Sequence, residues 1–183
     1  ILAQEVRLKA WRAVGGHAIM VDALPASIGG DYELRHLCRD DYHKGYPALL
    51  GQLTDVGDLT EERFATVLDK RQQQPDVYRT LVIEHRESQR IVAAGTLMIE
   101  VKFVHGGSHV GHVEDVVVDA AHRKKGLARE LLAALANQAR TAACYKIILD
   151  CKEENAAFYE KCQYRRCERQ MRLDLDSHAP APS

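Results

Sequence analysis

Gly111-His-Val-Glu-Asp-Val-Val-Val-Asp-Ala-Ala-His-Arg-Lys-Lys-Gly-Leu-Ala-Arg-Glu-Leu-Leu-Ala-Ala-Leu135 is the stretch on which the reading of this 183-residue chain turns. Val113, Val116, Val117 and Val118 form a β-branched apolar run suited to a strand buried in a sheet. Glu114 and Asp115 interrupt it. Successive strand side chains point to opposite faces, so the alternation expects these two carboxylates on different sides, with at least one near a packed surface. After Asp119 comes a short connection, then Gly126, then Leu127, Leu131, Leu132 and Leu135 at helical spacing among strong helix formers. The order is strand, loop, helix.

Arg123, Lys124 and Lys125 fall at the start of that helix, where the macrodipole and unpaired N–H groups already present positive charge. Cations there have the wrong sign locally. A compensating partner is an anion held by backbone amides and basic side chains, with Gly126 letting the backbone come close. A solvated basic turn ahead of a surface helix is the alternative. A Walker loop is excluded, because the upstream glycine and the Ser/Thr after Gly-Lys are missing.

Working outward, 32–38 reads as a first strand. Asp40 or Asp41 then caps a helix to about residue 53, made irregular by Gly45 and Pro47. Residues 54–58 are a loop, and Asp58 with Glu61 resembles a capping box opening a helix to about residue 73. Stretches 77–84 and 91–101 flank Arg86-Glu-Ser-Gln89 and predict an antiparallel hairpin. The turn 105–109 leads into the central strand. Beyond its helix, 145–151 predicts a fifth strand, 154–163 a short helix and 164–175 a last strand. That order fits an α/β fold with a mixed sheet and helices on both faces.

The length suits one domain, placed at 31–176, with 1–30 an extension or linker and 177–183 a disordered Pro/Ala tail. Residues 1–30 carry basic residues but no long apolar core, so a secretory signal is not expected there. Net charge is −1, which gives no electrostatic case for nucleic acid or an anionic membrane as partner. No apolar run approaches the length of a membrane span. Five cysteines without a C-x-x-C pair point to a reducing compartment, with the thiols as core fillers or indifferent groups. His105, His109 and His112 raise the idea of a metal, but the turn's two glycines give no rigid tetrahedral set, and none is expected.

Arg123-Lys-Lys-Gly126-Leu-Ala128 resembles the pyrophosphate loop of the GNAT acetyltransferase superfamily. Gly111 to Val118, Cys144-Tyr-Lys-Ile-Ile-Leu-Asp-Cys151 and Asn155-Ala-Ala-Phe-Tyr-Glu-Lys-Cys162 narrow the resemblance to the glucosamine-6-phosphate N-acetyltransferase family, over about 32–173. The resemblance implies the GNAT acyl-CoA N-acyltransferase fold, whose splayed central strand pair, here 111–118 and 145–151, receives the acyl thioester arm. It implies acetyl-CoA as co-substrate, with Val116, Val118, Arg123, Lys124, Lys125, Gly126, Leu127, Ala128, Asn155 and Tyr159 binding it. It implies acetyl transfer to the amine of D-glucosamine 6-phosphate, a step toward UDP-N-acetylglucosamine.

In that reading Asp150 holds and helps deprotonate the amine, Glu114 and Asp115 bind the sugar or relay a proton, and Tyr159 protonates the departing sulfur. Thr54, Lys102 and His105 match the phosphate-binding positions. Each acid has an ordinary alternative as a solvated or paired group, Tyr159 as a packed aromatic and Asn155 as a helix cap. Phe158 is expected in the core. The family also carries a cation just after a Met near its C-terminus; here Met171-Arg-Leu-Asp174 puts Asp174 in that register, with Arg172 the candidate substitute. A homodimer sharing its last strand is implied, in the cytoplasm or an organelle such as the peroxisome. Transfer to another small amine, and a non-catalytic acyl-CoA-binding module, stay open as alternatives.

Overall fold

The computed structural model describes residues 9–14, 17–22, 28–173 and 175, in two compact units, Ile1–Leu149 and Asp150–Ser183. In the first unit, Lys9–Val14 (β1) and His17–Asp22 (β2) pair antiparallel inside the stretch expected to be an extension or linker. The main sheet has five strands: Tyr32–His36 (β3), Tyr78–His85 (β4), Arg90–Val101 (β5), His109–Val118 (β6) and Cys144–Ile148 (β7). Their spatial order is the chain order, antiparallel from β3 to β6 and parallel between β6 and β7. The parallel pair requires a crossover, and Leu127–Thr141 (α3) supplies it.

Central position explains the composition of β5. Residues 91–97 are all buried, as a strand covered on both faces demands. On one face α3 packs Leu131 and Leu135 against the sheet at Gly95. On the other, Tyr46–Leu50 (α1) and Glu61–Gln72 (α2) bring Tyr46, Leu49, Phe64 and Leu68 into one cluster with Leu37, Val82, Ile91, Ala94 and Val117.

The helix expected from residue 40 to 53 is split in two. Arg39–Tyr42 forms a 3-10 turn, and Gly45, at φ 88°, turns the chain left-handed before α1. The cap of α2 is Thr60, whose hydroxyl accepts from Arg63 N at 3.3 Å, and not Asp58. Thr60 lies immediately before the first helical residue, where a side-chain oxygen reaches the first-turn amides. β7 ends at Ile148, three residues short of the predicted 151.

The second unit contains the helix Glu153–Lys161 (α4). The predicted last strand is absent: 164–173 carries no strand, and Met171, Leu173 and Leu175 are exposed. A strand exists only where a neighbour takes its backbone groups, and among the described residues this unit offers no other strand. Phe158, expected in the core, is exposed. No helix among the described residues is long and apolar enough to cross a membrane.

Candidate active site

β6 and β7 pair only from His109↔Cys144 to His112↔Ile148. Beyond that point β7 stops and β6 runs on for six residues, so the edge that faced β7 continues without a strand partner among the described residues. The parting expected between the two strands is therefore at His112 and Ile148. An extended polar chain laid along 113–118 would meet strand amides of the kind that accept an added strand.

Strict alternation fails at the two acids. The β5–β6 register shifts between Ala94 and Thr96, which sets Asp115 and Val116 against Gly95 alone. Asp115 takes φ 54°, a left-handed value that Asp tolerates better than a β-branched residue. This bulge re-aims the strand, and Glu114 and Asp115 are both exposed. Val116 and Val118 are half-buried. Asp115 also reaches a pocket of about 90 Å³ lined by Tyr46, Leu50, Phe64, Val67 and Arg71. Burial raises the Tyr46 phenol to about 12; the Arg71 charge works against that rise and the Asp115 charge adds to it.

β6 runs directly into the basic loop. Lys124 at φ 63° and Gly126 at φ 83° flank Lys125, a turn of the sort that gathers N–H groups toward an anion. Gly126 is the N-cap of α3, and its carbonyl accepts from Arg129 N and Glu130 N. The amides of Leu127 and Ala128 have no acceptor one turn back within the helix. Leu127 is 2% exposed, so its side chain belongs to the core and only its backbone faces the loop. Arg123 donates through Nε to Val118 O at 3.1 Å. Lys125 Nζ donates to the Tyr32 hydroxyl at 3.1 Å and lies 5.8 Å from the Tyr32 ring centre. Arg123, Lys124, Lys125 and Gly126 are exposed.

The expected phosphate contacts lie on two loops. Thr54 is exposed in the turn after α1. Lys102 donates to Glu100 Oε1 at 2.6 Å, and the other oxygen of Glu100 pairs with His112 Nε2 at 2.9 Å. Those bonds, from Lys102 first and His112 next, hold the Glu100 carboxyl below its ordinary range. His105, at φ 52°, packs tilted against Tyr145 with ring centres 4.5 Å apart, and His109 Nδ1 bonds Ala142 O at 2.6 Å. The three histidines thus have three different partners. Among the described residues no three His, Cys, Asp or Glu groups could share a metal ion.

Asp150, Asn155 and Tyr159 belong to the second unit. Asp150 is exposed immediately after residue 149. The cap of α4 is Lys152, so Asn155 is not the cap; its own N–H donates to Lys152 O at 2.9 Å. Tyr159 is half-buried, edge-on to Phe158 and Tyr164 at 5.2 and 5.8 Å. Burial, and then Cys151 and Cys162, push its phenol above the ordinary value of 10. Arg172 is exposed outside regular structure.

Residues 34–164 match the acetyltransferase (GNAT) family. The chain belongs to the GNAT acetyltransferase family. Among curated GNAT relatives, the glucosamine 6-phosphate N-acetyltransferase of Trypanosoma brucei brucei is 44% identical over 145 residues, 79% of this chain and 97% of the relative. That of Arabidopsis thaliana is 41% identical over 131 residues, 72% of this chain and 88% of the relative. The crystal structure of glucosamine-6-phosphate N-acetyltransferase from Arabidopsis thaliana superposes with a TM-score of 0.78 at 39% identity, covering 79% of this chain and 99% of that one. Every site residue from Thr54 to Tyr159 lies inside the GNAT match; Arg172 lies beyond it.

Tyr32 touches the loop at Lys125, and Gln52 grips the end of β6 at Asp119 and Ala120 just ahead of it; the sequence singles out neither contact. The first pair is 93 residues apart in the chain and Gln52 is 67 residues from Asp119. No local spacing announces such a pair.

Proposed function

We propose that this chain transfers the acetyl group of acetyl-CoA to the 2-amino group of D-glucosamine 6-phosphate, giving N-acetyl-D-glucosamine 6-phosphate by direct attack in a ternary complex. The observation that carries the reading is a β6 edge that parts from β7 at His112 and Ile148 and leads straight into a basic helix N-terminus. Relatives above 40% identity supply the acceptor.

The loop 123–128 receives the pyrophosphate through backbone N–H groups and the cations of Arg123, Lys124 and Lys125. The thioester arm lies along 116–118, where strand amides hold it and one donates to the developing oxyanion. Asp150 holds the sugar amine and takes part in its deprotonation, while Glu114 and Asp115 bind the sugar or relay the proton. The amine attacks the thioester carbonyl, the C–S bond breaks, and Tyr159 gives its proton to the departing thiolate. Asn155, one turn before Tyr159, contacts the same cofactor arm. No covalent enzyme intermediate is needed. Burial raises the Cys144 and Cys151 thiols above the ordinary value of 9, which suits cysteines without a nucleophilic role.

Thr54, Lys102 and His105 take the sugar phosphate. Lys102 gives one N–H to Glu100 and keeps others for phosphate oxygens. A charge-assisted bond contributes about 1.5–3 kcal/mol, and leaving its donor empty costs more, so glucosamine 6-phosphate should exceed glucosamine in kcat/KM by roughly tenfold to hundredfold. Thiol release measured on both sugars, a polyamine, an aminoglycoside and a free-amine peptide checks this. Equal rates on the two sugars would remove the phosphate assignment. Turnover only on polyamine or peptide would move the acceptor elsewhere, and acetyl-CoA binding without turnover on any amine would mark a binding module.

The protein acts as a two-fold homodimer in this reading. The support is the family resemblance together with the exposed Val101, Phe103 and Val104 at the end of β5. Light scattering at micromolar concentration should give twice the chain mass; a fully active monomer would contradict it.

A further inference from the structure

Gln52 leaves the turn after α1 and uses both ends of its side-chain amide on one other segment. Its Nε2 donates to Asp119 Oδ2 at 2.7 Å, and its Oε1 accepts from Ala120 N at 2.9 Å. Asp119 is the residue at which β6 gives way to the basic loop. Its second oxygen accepts from Ala121 N at 3.0 Å and pairs with His122 Nδ1 at 2.9 Å. Those bonds, His122 first and Gln52 next, hold the Asp119 carboxyl below its ordinary value of 3.8. The His122 ring stands edge-on to Tyr32 at 6.1 Å, and the Tyr32 hydroxyl receives Lys125 at 3.1 Å. A continuous chain of polar and aromatic contacts therefore runs from Gln52 to the last cation of the loop.

The other end of that chain is close to Thr54. Gln52 and Thr54 share one turn, their amides donating to Leu49 O at 3.0 Å and Leu50 O at 3.2 Å. Gln52 is exposed, so it does not serve the core. A long, rotamer-rich side chain held at both ends outside the core ties the motion of its turn to that of the loop it grips.

We infer that Gln52 is a positioning residue that couples the phosphate-side turn 51–57 to the loop 119–126, so that each substrate binds more tightly when the other is present. This rests on the reading above, which gives 123–128 to acetyl-CoA and Thr54 to the sugar phosphate. Ordering one segment through its ligand lowers the cost of ordering the other, and the effect is reciprocal. Neither end of the Gln52 side chain touches the reacting atoms in this arrangement.

Coenzyme A with glucosamine 6-phosphate forms a pair with no acetyl group to transfer, so both affinities can be titrated calorimetrically without turnover. In the wild type the sugar phosphate should tighten coenzyme A binding by roughly fivefold or more. Gln52→Ala and Asp119→Ala should each bring that factor to within about twofold of none, with no further loss in the double variant, since both remove the bond between Gln52 Nε2 and the residue 119 side chain. A merely structural role would weaken the separate affinities or the melting temperature and leave the factor intact. Wild-type coupling retained in Gln52→Ala, or no coupling in the wild type, overturns the inference while leaving the proposed activity standing. A wild type that does not bind coenzyme A overturns the reading of the loop and the coupling with it.

Discussion

Tyr159→Phe should lower kcat by roughly one to three orders of magnitude with KM for both substrates little changed. The substitution deletes one hydroxyl and keeps the ring, which packs edge-on to Phe158 and Tyr164. Expulsion of a thiolate needs a proton at sulfur, and a donor must hold that proton at working pH. Burial raises the Tyr159 phenol above 10, so the donor form persists through neutral and mildly alkaline conditions. A loss in kcat alone identifies a group used in the transition state. Wild-type turnover in Tyr159→Phe would return the residue to the role of a packed aromatic.

Asp41→Ala should destabilise the fold by about 3–5 kcal/mol, because it strips one partner from a buried charge network. Asp41 is 0% exposed and takes a two-pronged grip from Arg35, at 2.8 and 2.6 Å, and a third bond from Cys38 N at 2.8 Å. Arg35 also donates to Glu84, which Lys44 Nζ meets at 2.9 Å. Burial works against ionisation of Glu84, but the bonds from Arg35 and Lys44 hold its carboxyl below the ordinary range. Truncation at Asp41 leaves the Cys38 amide unpaired and Arg35 without the partner that fits its fork. The network ties β3, β4 and the segment 38–44 together ahead of α1. Urea denaturation followed by circular dichroism measures the loss, and a change below about 1 kcal/mol would show that the pair contributes no more than an exposed one.

The strand, loop and helix of 111–135 were legible because each part has a local cause. β-branched runs, helical leucine spacing and a glycine at a left-handed position are all properties of neighbouring residues. The bulge at Asp115 was not legible, because it is set by the register against β5 and only a partner strand reveals it. The same holds for the break between the 3-10 turn and α1, where Gly45 and Pro47 signalled irregularity without saying which residue would turn. Gly15-Gly16 between two runs is a hairpin signal of the Gly-Gly kind, and β1 and β2 pair on either side of it.

Site chemistry divides in the same way. Gly126 and the three cations before it raise the expectation of a bound anion through charge and backbone alone. Glu100, by contrast, looks like an ordinary strand residue until Lys102 and His112 are found on its two oxygens. Gln52 has no sequence signature, since its partners lie 67 and 68 residues away. The fairly apolar run 164–175 was expected to form a last strand, and apolar residues without a pairing neighbour do not make one.

Direct transfer to the sugar amine is tested most directly by identifying where the acetyl group goes. Purified protein mixed with carbonyl-labelled acetyl-CoA and glucosamine 6-phosphate should give free coenzyme A and N-acetylated sugar phosphate in equal amounts by mass spectrometry. Protein incubated with acetyl-CoA alone should carry no label. An acetylated protein that passes its label to the sugar, or coenzyme A release without N-acetylated sugar phosphate, would contradict direct attack in a ternary complex.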